Sequence, residues 1–334
     1  MKIYEKIVKF IKEYYKILIL YVCLFLFFTL KLPYYIESPG GLIDISKKII
    51  VSDSYKFSGS LNMAYVSEMH ATIPTFLFSK INSDWNLIKQ QEMTSSNEKI
   101  EDLEYRNKML LRESYDVAKL VAYSHSKIDY EVKNRKVYVT YIDEKSKTDL
   151  KIGDQIIEVD EKKVLDKNHL QAYIASKNID DEVVFTVNRK NKMLKVKTNL
   201  IDVNGEPKVG AIITEDFDIL SSKKMQFKFN DSESGPSGGL MLTLAMYSYI
   251  NEIDITGGKK IAGTGTINID GTVGEISGVK YKLIGAAKNK ADVFIVPEGD
   301  NYKEAKKIKQ EKNYDIELVS VESFEEALKY LKDR

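Results

Sequence analysis

Hydrophobic and polar positions fall into three rhythms along the chain. Near the amino end, Ile17–Leu30 (ILILYVCLFLFFTL) is an unbroken uncharged run of 14 residues. At about 1.5 Å per residue a helix of that run spans roughly 21 Å, short of a hydrocarbon core of about 30 Å. Extended to Tyr14–Ile36 it has 23 residues and reaches roughly 34 Å. Lys16 and Lys31 can then reach out from its ends, and Tyr14, Tyr15, Tyr34 and Tyr35 suit an interface. Lys2, Lys6, Lys9, Lys12 and Lys16 precede the run against Glu5 and Glu13. The expectation is an uncleaved single-pass anchor, with the amino terminus cytoplasmic and everything after Pro33 outside the cell membrane. A cleaved signal is disfavoured because KLPYYIESPGG offers no A-x-A-like site. Lipidation of Cys23 is disfavoured by Val22, where a small residue belongs.

Beyond the run, Glu37–Gly41 (ESPGG) reads as a turn-rich exit, and 43–93 as a small α+β region. Ser95-x-x-Glu98 is a capping box opening a long helix. Its apolar positions Ile100, Leu103, Leu110, Val117 and Val121 keep an a/d spacing that Asn107 and Ser114 interrupt. A surface helix packed on its own protein is favoured over coiled-coil pairing. From 128 the rhythm shortens to two. Val137–Tyr141 and Gln155–Val159 read as strands and His169–Ser176 as a short helix. Val183–Asn188 and Met193–Thr198 read as a hairpin around Arg189–Lys192. From about Lys208 strands and helices alternate. Met225–Asn230 is a strand, Gly239–Ile250 an apolar and therefore buried helix, and Lys260–Ile269 extended. Lys280–Lys290 and Tyr302–Lys312 are helices, Asp292–Val296 and Ile316–Val321 strands, and Ser323-x-x-Glu326 caps a last helix.

Composition narrows the chemistry. A formal net charge of +1 gives no basic field for nucleic acid. Cys23 is the one cysteine, so neither an intrachain disulfide nor a cysteine zinc site is available. The three histidines, His70, His125 and His169, leave the last 165 residues without any. No cofactor or metal is expected.

Ser234–Gly239 (SGPSGG) lies between a strand and the buried helix. Gly235 and Gly238 let the backbone turn tightly around Pro236 and Ser237. Ser237 then stands at a helix amino terminus, where free amides can hold an oxyanion. Gly235-x-Ser237-x-Gly239 also fits a hydrolase nucleophile elbow, but that esterase reading needs a later histidine and finds none. A neutral lysine is the remaining base. Lys280 opens the helix in SGVKYKLIGAA, where the dipole and Val279, Leu283 and Ile284 disfavour its charge. Lys282 shares that helix, and sequence alone does not choose between them. Gly257-Gly258-Lys259-Lys260 lacks the spacing and hydroxyl of a nucleotide loop, and Gly263-x-Gly265 leads into another extended segment rather than a helix. No nucleotide is expected.

Two resemblances organise these readings. LKIGDQIIEVDEKKV (Leu150–Val164) resembles the PDZ pattern, with Asp160-Glu161 in the turn, and implies a groove taking an extended peptide as an added strand. GPSGGL (Gly235–Leu240), IAGTGTINIDGTVGEISGVKYKL (Ile261–Leu283) and DVFIVPEGDN (Asp292–Asn301) together resemble the proteolytic domain of Lon-type serine proteases. The separation of Ser237 and Lys280 (280 − 237 = 43 positions) is similar too. With the anchor and YYIESPGG, the whole chain resembles the PDZ-containing, membrane-anchored Lon-like proteases of Gram-positive bacteria. The resemblance implies Ser237 as nucleophile, Lys280 as general base, and Thr264 as a hydrogen-bond partner of the lysine, with Gly235, Pro236 and Gly238 shaping the loop. Residues of this chain depart from the Lon pattern at Ser234 and Gly238, which bears on loop geometry.

The expectation is therefore a multidomain α+β and α/β chain: tail 1–16, transmembrane anchor 17–36, membrane-proximal region 37–127, PDZ-like domain 128–203 and Lon-type protease domain 204–334. Its function would be ATP-independent cleavage of extracytoplasmic peptides, exposed tails or small membrane proteins. Lon-type domains often form rings, so the resemblance allows a homo-oligomer. The rival from another class is a non-catalytic membrane adaptor with a PDZ module and an inactive protease fold.

Overall fold

The structure, a computed structural model, describes residues 2–51, 55–94 and 98–333. Ser95 of the expected capping box lies outside the described residues. The chain opens with α1 (Lys2–Thr29), a helix of 28 residues, followed at once by β1 (Lys31–Asp44). This overturns the transmembrane anchor. Pro33–Ile36 belongs to a strand, so the uncharged helical run cannot extend over the 23 residues Tyr14–Ile36. The last 18 residues of α1 still contain Lys12, Glu13 and Lys16, and among the described residues no helix is long and apolar enough to cross a membrane. The single-pass cell-membrane topology, with a cytoplasmic amino terminus and an extracytoplasmic protease domain, falls with it.

Next come β2 (Ile49–Val51), β3 (Ser60–Thr72), α2 (Ile73–Ser79), β4 (Asn86–Lys89), α3 (Gln90–Met93) and the long α4 (Ile100–His125). The ESPGG segment is not an exit turn but part of β1. Its register against β3 shifts between Pro39 and Leu42, as proline in a strand requires.

Residues 130–221 form a second sheet. Its elements are β5 (Tyr130–Ile142), β6 (Lys147–Thr148), β7 (Gln155–Val159), β8 (Lys162–Lys163), α5 (Lys167–Ala175), β9 (Glu182–Arg189), β10 (Lys192–Asn199) and β13 (Ala211–Ser221). Between the last two, β11 (Ile201–Val203) and β12 (Glu206–Lys208) make a separate hairpin. The strand order is β13-β5-β7-β9-β10-β6, with β8 on β7. Inward residues alternate along the strands, Val137 and Val139 on β5 and Val183, Phe185 and Val187 on β9, and they pack on Leu170 and Ile174 of α5. The β9–β10 turn sets Lys190 at φ 50° and Asn191 at φ 64°, and the β7–β8 turn sets Asp160 at φ 46° and Glu161 at φ 64°. Both left-handed pairs match the primed turns of tight hairpins. The first strand, β5, pairs antiparallel with the last, β13, from Tyr130–Ser221 to Ile142–Ala211.

The remaining elements are β14 (Met225–Phe227), α6 (Gly239–Asn251), β15 (Lys260–Gly263), β16 (Thr266–Ile267), β17 (Val273–Gly274), α7 (Val279–Lys288), β18 (Val293–Pro297), α8 (Asp300–Lys312), β19 (Glu317–Val321) and α9 (Phe324–Lys332). They do not stand apart from the first third of the chain. One six-stranded sheet runs β19-β18-β15-β3-β1-β4, parallel from β19 to β3 and antiparallel thereafter. Region 37–127 is therefore no separate unit, and residues 130–221 are an insertion between two halves of one domain. Parallel strands covered on both faces are apolar on both faces. Val293 and Ile295 face α4, α6 and α9, whereas Phe294 and Val296 face α7 and α8. Helix α6 is the centre of the first layer, with Leu240, Met241, Leu242, Leu244 and Met246 fully buried.

Candidate active site

The loop Gly235–Gly238 enters α6 across the carboxyl end of β15. Gly235 sits at φ 86°, a left-handed conformation that glycine adopts without strain. Gly238 and Gly239 are needed for space instead. A Cβ on Gly238 would come 2.5 Å from Met63 Sδ, and one on Gly239 would come 2.7 Å from Ile267 Cγ2 and 2.8 Å from Ser114 Oγ.

Hydrogen bonds fix the loop from two sides. From the segment just after β15, the Gly265 amide donates to Ser237 O at 2.8 Å, and Leu240 N donates back to Gly265 O at 3.1 Å. Thr264 Oγ1 also donates to Ser237 O, at 3.0 Å. From α4, Asn107 O accepts from Gly235 N at 2.9 Å, and Ser114 Oγ donates to Pro236 O at 3.0 Å. Gly235 N is thus committed to α4 and is not an oxyanion donor. Among the described hydrogen bonds, the amides of Ser237 and Gly238 donate to nothing. Ser237 itself is half-buried.

The lysine that meets this set is Lys282. Its Nζ donates to Thr264 Oγ1 at 3.3 Å. Thr264 is fully buried and Lys282 is only 4% exposed. Burial without a neighbouring carboxylate lowers the Lys282 pKa to about 8. Because the hydroxyl proton of Thr264 is given to Ser237 O, Thr264 can only accept from the amine. A neutral Nζ making that donation keeps its lone pair available. Thr264 therefore ties the serine backbone and the lysine side chain into one chain of contacts.

Lys280 does not enter the set. Its Nζ donates to Ser83 O at 2.9 Å on the exposed side of α7 and lies 5.5 Å from the centre of the Tyr281 ring. Residues two apart on a helix point to opposite sides, so 280 and 282 cannot both face the loop. The visible signal was the apolar face of α7: Val279, Leu283 and Ala286 are all buried, and 282 lies among them at helical spacing. Of the other expected residues, Ser237, Thr264, Gly235, Pro236 and Gly238 are brought together. Asn107, Ser114 and Met63 complete the surroundings, and motif reasoning missed all three. Among the described residues, no group of three or more histidine, cysteine or acidic side chains is placed to hold a metal ion.

Residues 230–333 match the family model of the Lon protease (S16) C-terminal proteolytic domain, and residues 125–200 match that of the PDZ domain. The chain carries a Lon-type serine endopeptidase domain. Lon protease 2 of Borreliella burgdorferi is 29% identical over 118 residues, 34% of this chain and 14% of that protein. Lon protease of Clostridium beijerinckii is 32% identical over 97 residues, 29% of this chain and 12% of that protein. The chain thus matches about an eighth of the length of these curated relatives. The PDZ domain of an SdrC-like protein from Listeria innocua is 29% identical, covering 23% of this chain and 92% of that one, with a TM-score of 0.22. The Lon-type match covers the loop, Thr264 and both lysines, and the PDZ match falls on the inserted unit.

Proposed function

We propose that the chain is an ATP-independent serine endopeptidase in which Ser237 is the nucleophile and Lys282, in place of Lys280, is the general base. The observation that carries this reading is the Thr264 hydroxyl, bonded at once to Ser237 O and to the buried Lys282 Nζ. Neutral Lys282 takes the proton of the Ser237 hydroxyl as its oxygen attacks the peptide carbonyl carbon. The Ser237 and Gly238 amides, at the positive end of α6, hold the oxyanion. The Lys282 ammonium then gives its proton to the departing amine, and the acyl-serine is released by water that Lys282 deprotonates in turn. A non-catalytic adaptor has no use for an uncompensated amine buried beside a serine loop.

Substrates are peptides or loosely folded segments. β13 is the terminal strand of the inserted sheet, with α5 alongside, and an extended peptide can add to such an edge. The usable edge precedes Glu215, whose amide already donates to Glu113 Oε1 at 3.2 Å. ATP has no role in the acyl transfer. Gly257 and Gly258, at φ 56° and 77°, only turn the chain into β15.

The test is cleavage of fluorescently labelled β-casein by the purified chain and by Ser237→Ala. The variant should keep its melting temperature and lose cleavage, and ATP should leave the wild-type rate unchanged. Cleavage by Ser237→Ala near the wild-type rate refutes the nucleophile, and a strict ATP requirement refutes the motor-free reading.

A further inference from the structure

Asn107 and Ser114, the two polar interruptions in the apolar a/d pattern of α4, are the two positions through which α4 holds the nucleophile loop. They are seven residues apart, two helical turns, on one face. A helix carbonyl points toward the carboxyl end, while side chains lean toward the amino end. Asn107 O and Ser114 Oγ therefore converge on the stretch between them, and there they meet Gly235 N and Pro236 O.

We infer that Ser114 is a positioning residue for the oxyanion-binding amide of Ser237; this rests on the protease reading above. The described peptide bonds include no cis bond. Across a trans peptide the carbonyl and the following N–H point in opposite directions. By drawing Pro236 O toward α4, Ser114 turns the Ser237 N–H away from α4 and leaves it free of protein acceptors. The Gly239 amide also reaches Pro236 O, at 3.2 Å, but it belongs to the loop and moves with it. Ser114 is the anchor from outside. Gly239 fits this role, since a side chain there would collide with Ser114 Oγ.

A residue that only orients an oxyanion donor acts on the transition state and not on substrate uptake. Ser114→Ala should therefore lower kcat by about 10- to 100-fold, less than the roughly 10²–10³-fold that follows loss of a whole donor. KM for labelled β-casein should stay within about threefold, and the pH at which activity rises should not move, because Lys282 is untouched. Rates are taken per folded molecule, from the folded fraction measured by circular dichroism. A peptide aldehyde, which forms a tetrahedral adduct, should lose affinity in Ser114→Ala, while the matching peptide alcohol should not. Equal kcat per folded molecule, a shifted pH midpoint, or equal loss for aldehyde and alcohol overturns the inference. If wild type and Ser237→Ala cleave alike, it is the protease reading that fails instead.

Discussion

Exchanging the two lysines of α7 one at a time tests the proposed base directly. With its pKa lowered to about 8, Lys282 is roughly 9% neutral at pH 7, where an ordinary lysine at about 10.5 is roughly 0.03% neutral. Burial thus raises the population of competent base about 300-fold, equivalent to about 3.4 kcal/mol. kcat/KM should climb about tenfold per pH unit below pH 8 and level off above it, as one group loses one proton. Lys282→Met keeps the length and apolar stem of the side chain but has no lone pair for the proton. It should lose roughly 10²–10⁴-fold in rate, the usual worth of a general base. Lys282→Arg should be as poor, because a guanidinium holds its proton at any usable pH. Lys280→Arg should remain within about threefold of wild type, since its partner is the Ser83 carbonyl, which a guanidinium also satisfies. The assay is initial-rate cleavage of labelled β-casein from pH 6 to 10. If Lys282→Met retains activity within tenfold, or if Lys280→Met is the variant that dies, the assignment is wrong.

Three further outcomes follow from the same contacts. Thr264→Val removes the hydroxyl that joins Ser237 O to Lys282 Nζ, and should cut kcat by roughly 10–100-fold and stability by about 1–3 kcal/mol, read from urea unfolding; an unchanged rate counts against the bridge. Gly239→Ala forces a Cβ to within 2.7–2.8 Å of Ile267 and Ser114 and should destabilise by about 1–3 kcal/mol, with a neutral melting temperature counting against the packing. Lys282 has a folded pKa below its unfolded value, so the unfolded chain binds more protons between about pH 8 and 10.5. That contribution makes stability rise with pH across the window. Lys282→Met should abolish the rise and be more stable than wild type at pH 7, and calorimetry showing no difference refutes the buried-charge account.

The loop, Thr264 and the nearby glycines were legible because chemistry demands particular residues in short order there. The buried helix α6 was legible because it is apolar on every side. Lys280 was put forward because its 43-position separation from Ser237 says nothing of which way a side chain faces; the periodicity of α7 places 282, not 280, on the buried face beside Thr264. The first third was misread for another reason. Ser60 pairs with Lys260 and Leu61 with Ile261, and contacts across 200 positions leave no trace in local periodicity. The apolar run at 17–30 suggested a span, but the strand beginning at Lys31 removes the length it required. Asn107 and Ser114 were noticed only as interruptions, because their partner is a loop more than a hundred residues away.

The pairing of Tyr130 with Ser221 makes residues 130–221 a cassette. Its two ends lie one strand spacing apart, about 5 Å, so a short turn could close the gap without moving α4 or β14. The inserted unit can then be lost, gained or exchanged for another in descent while the register of the six-stranded sheet stays as it is.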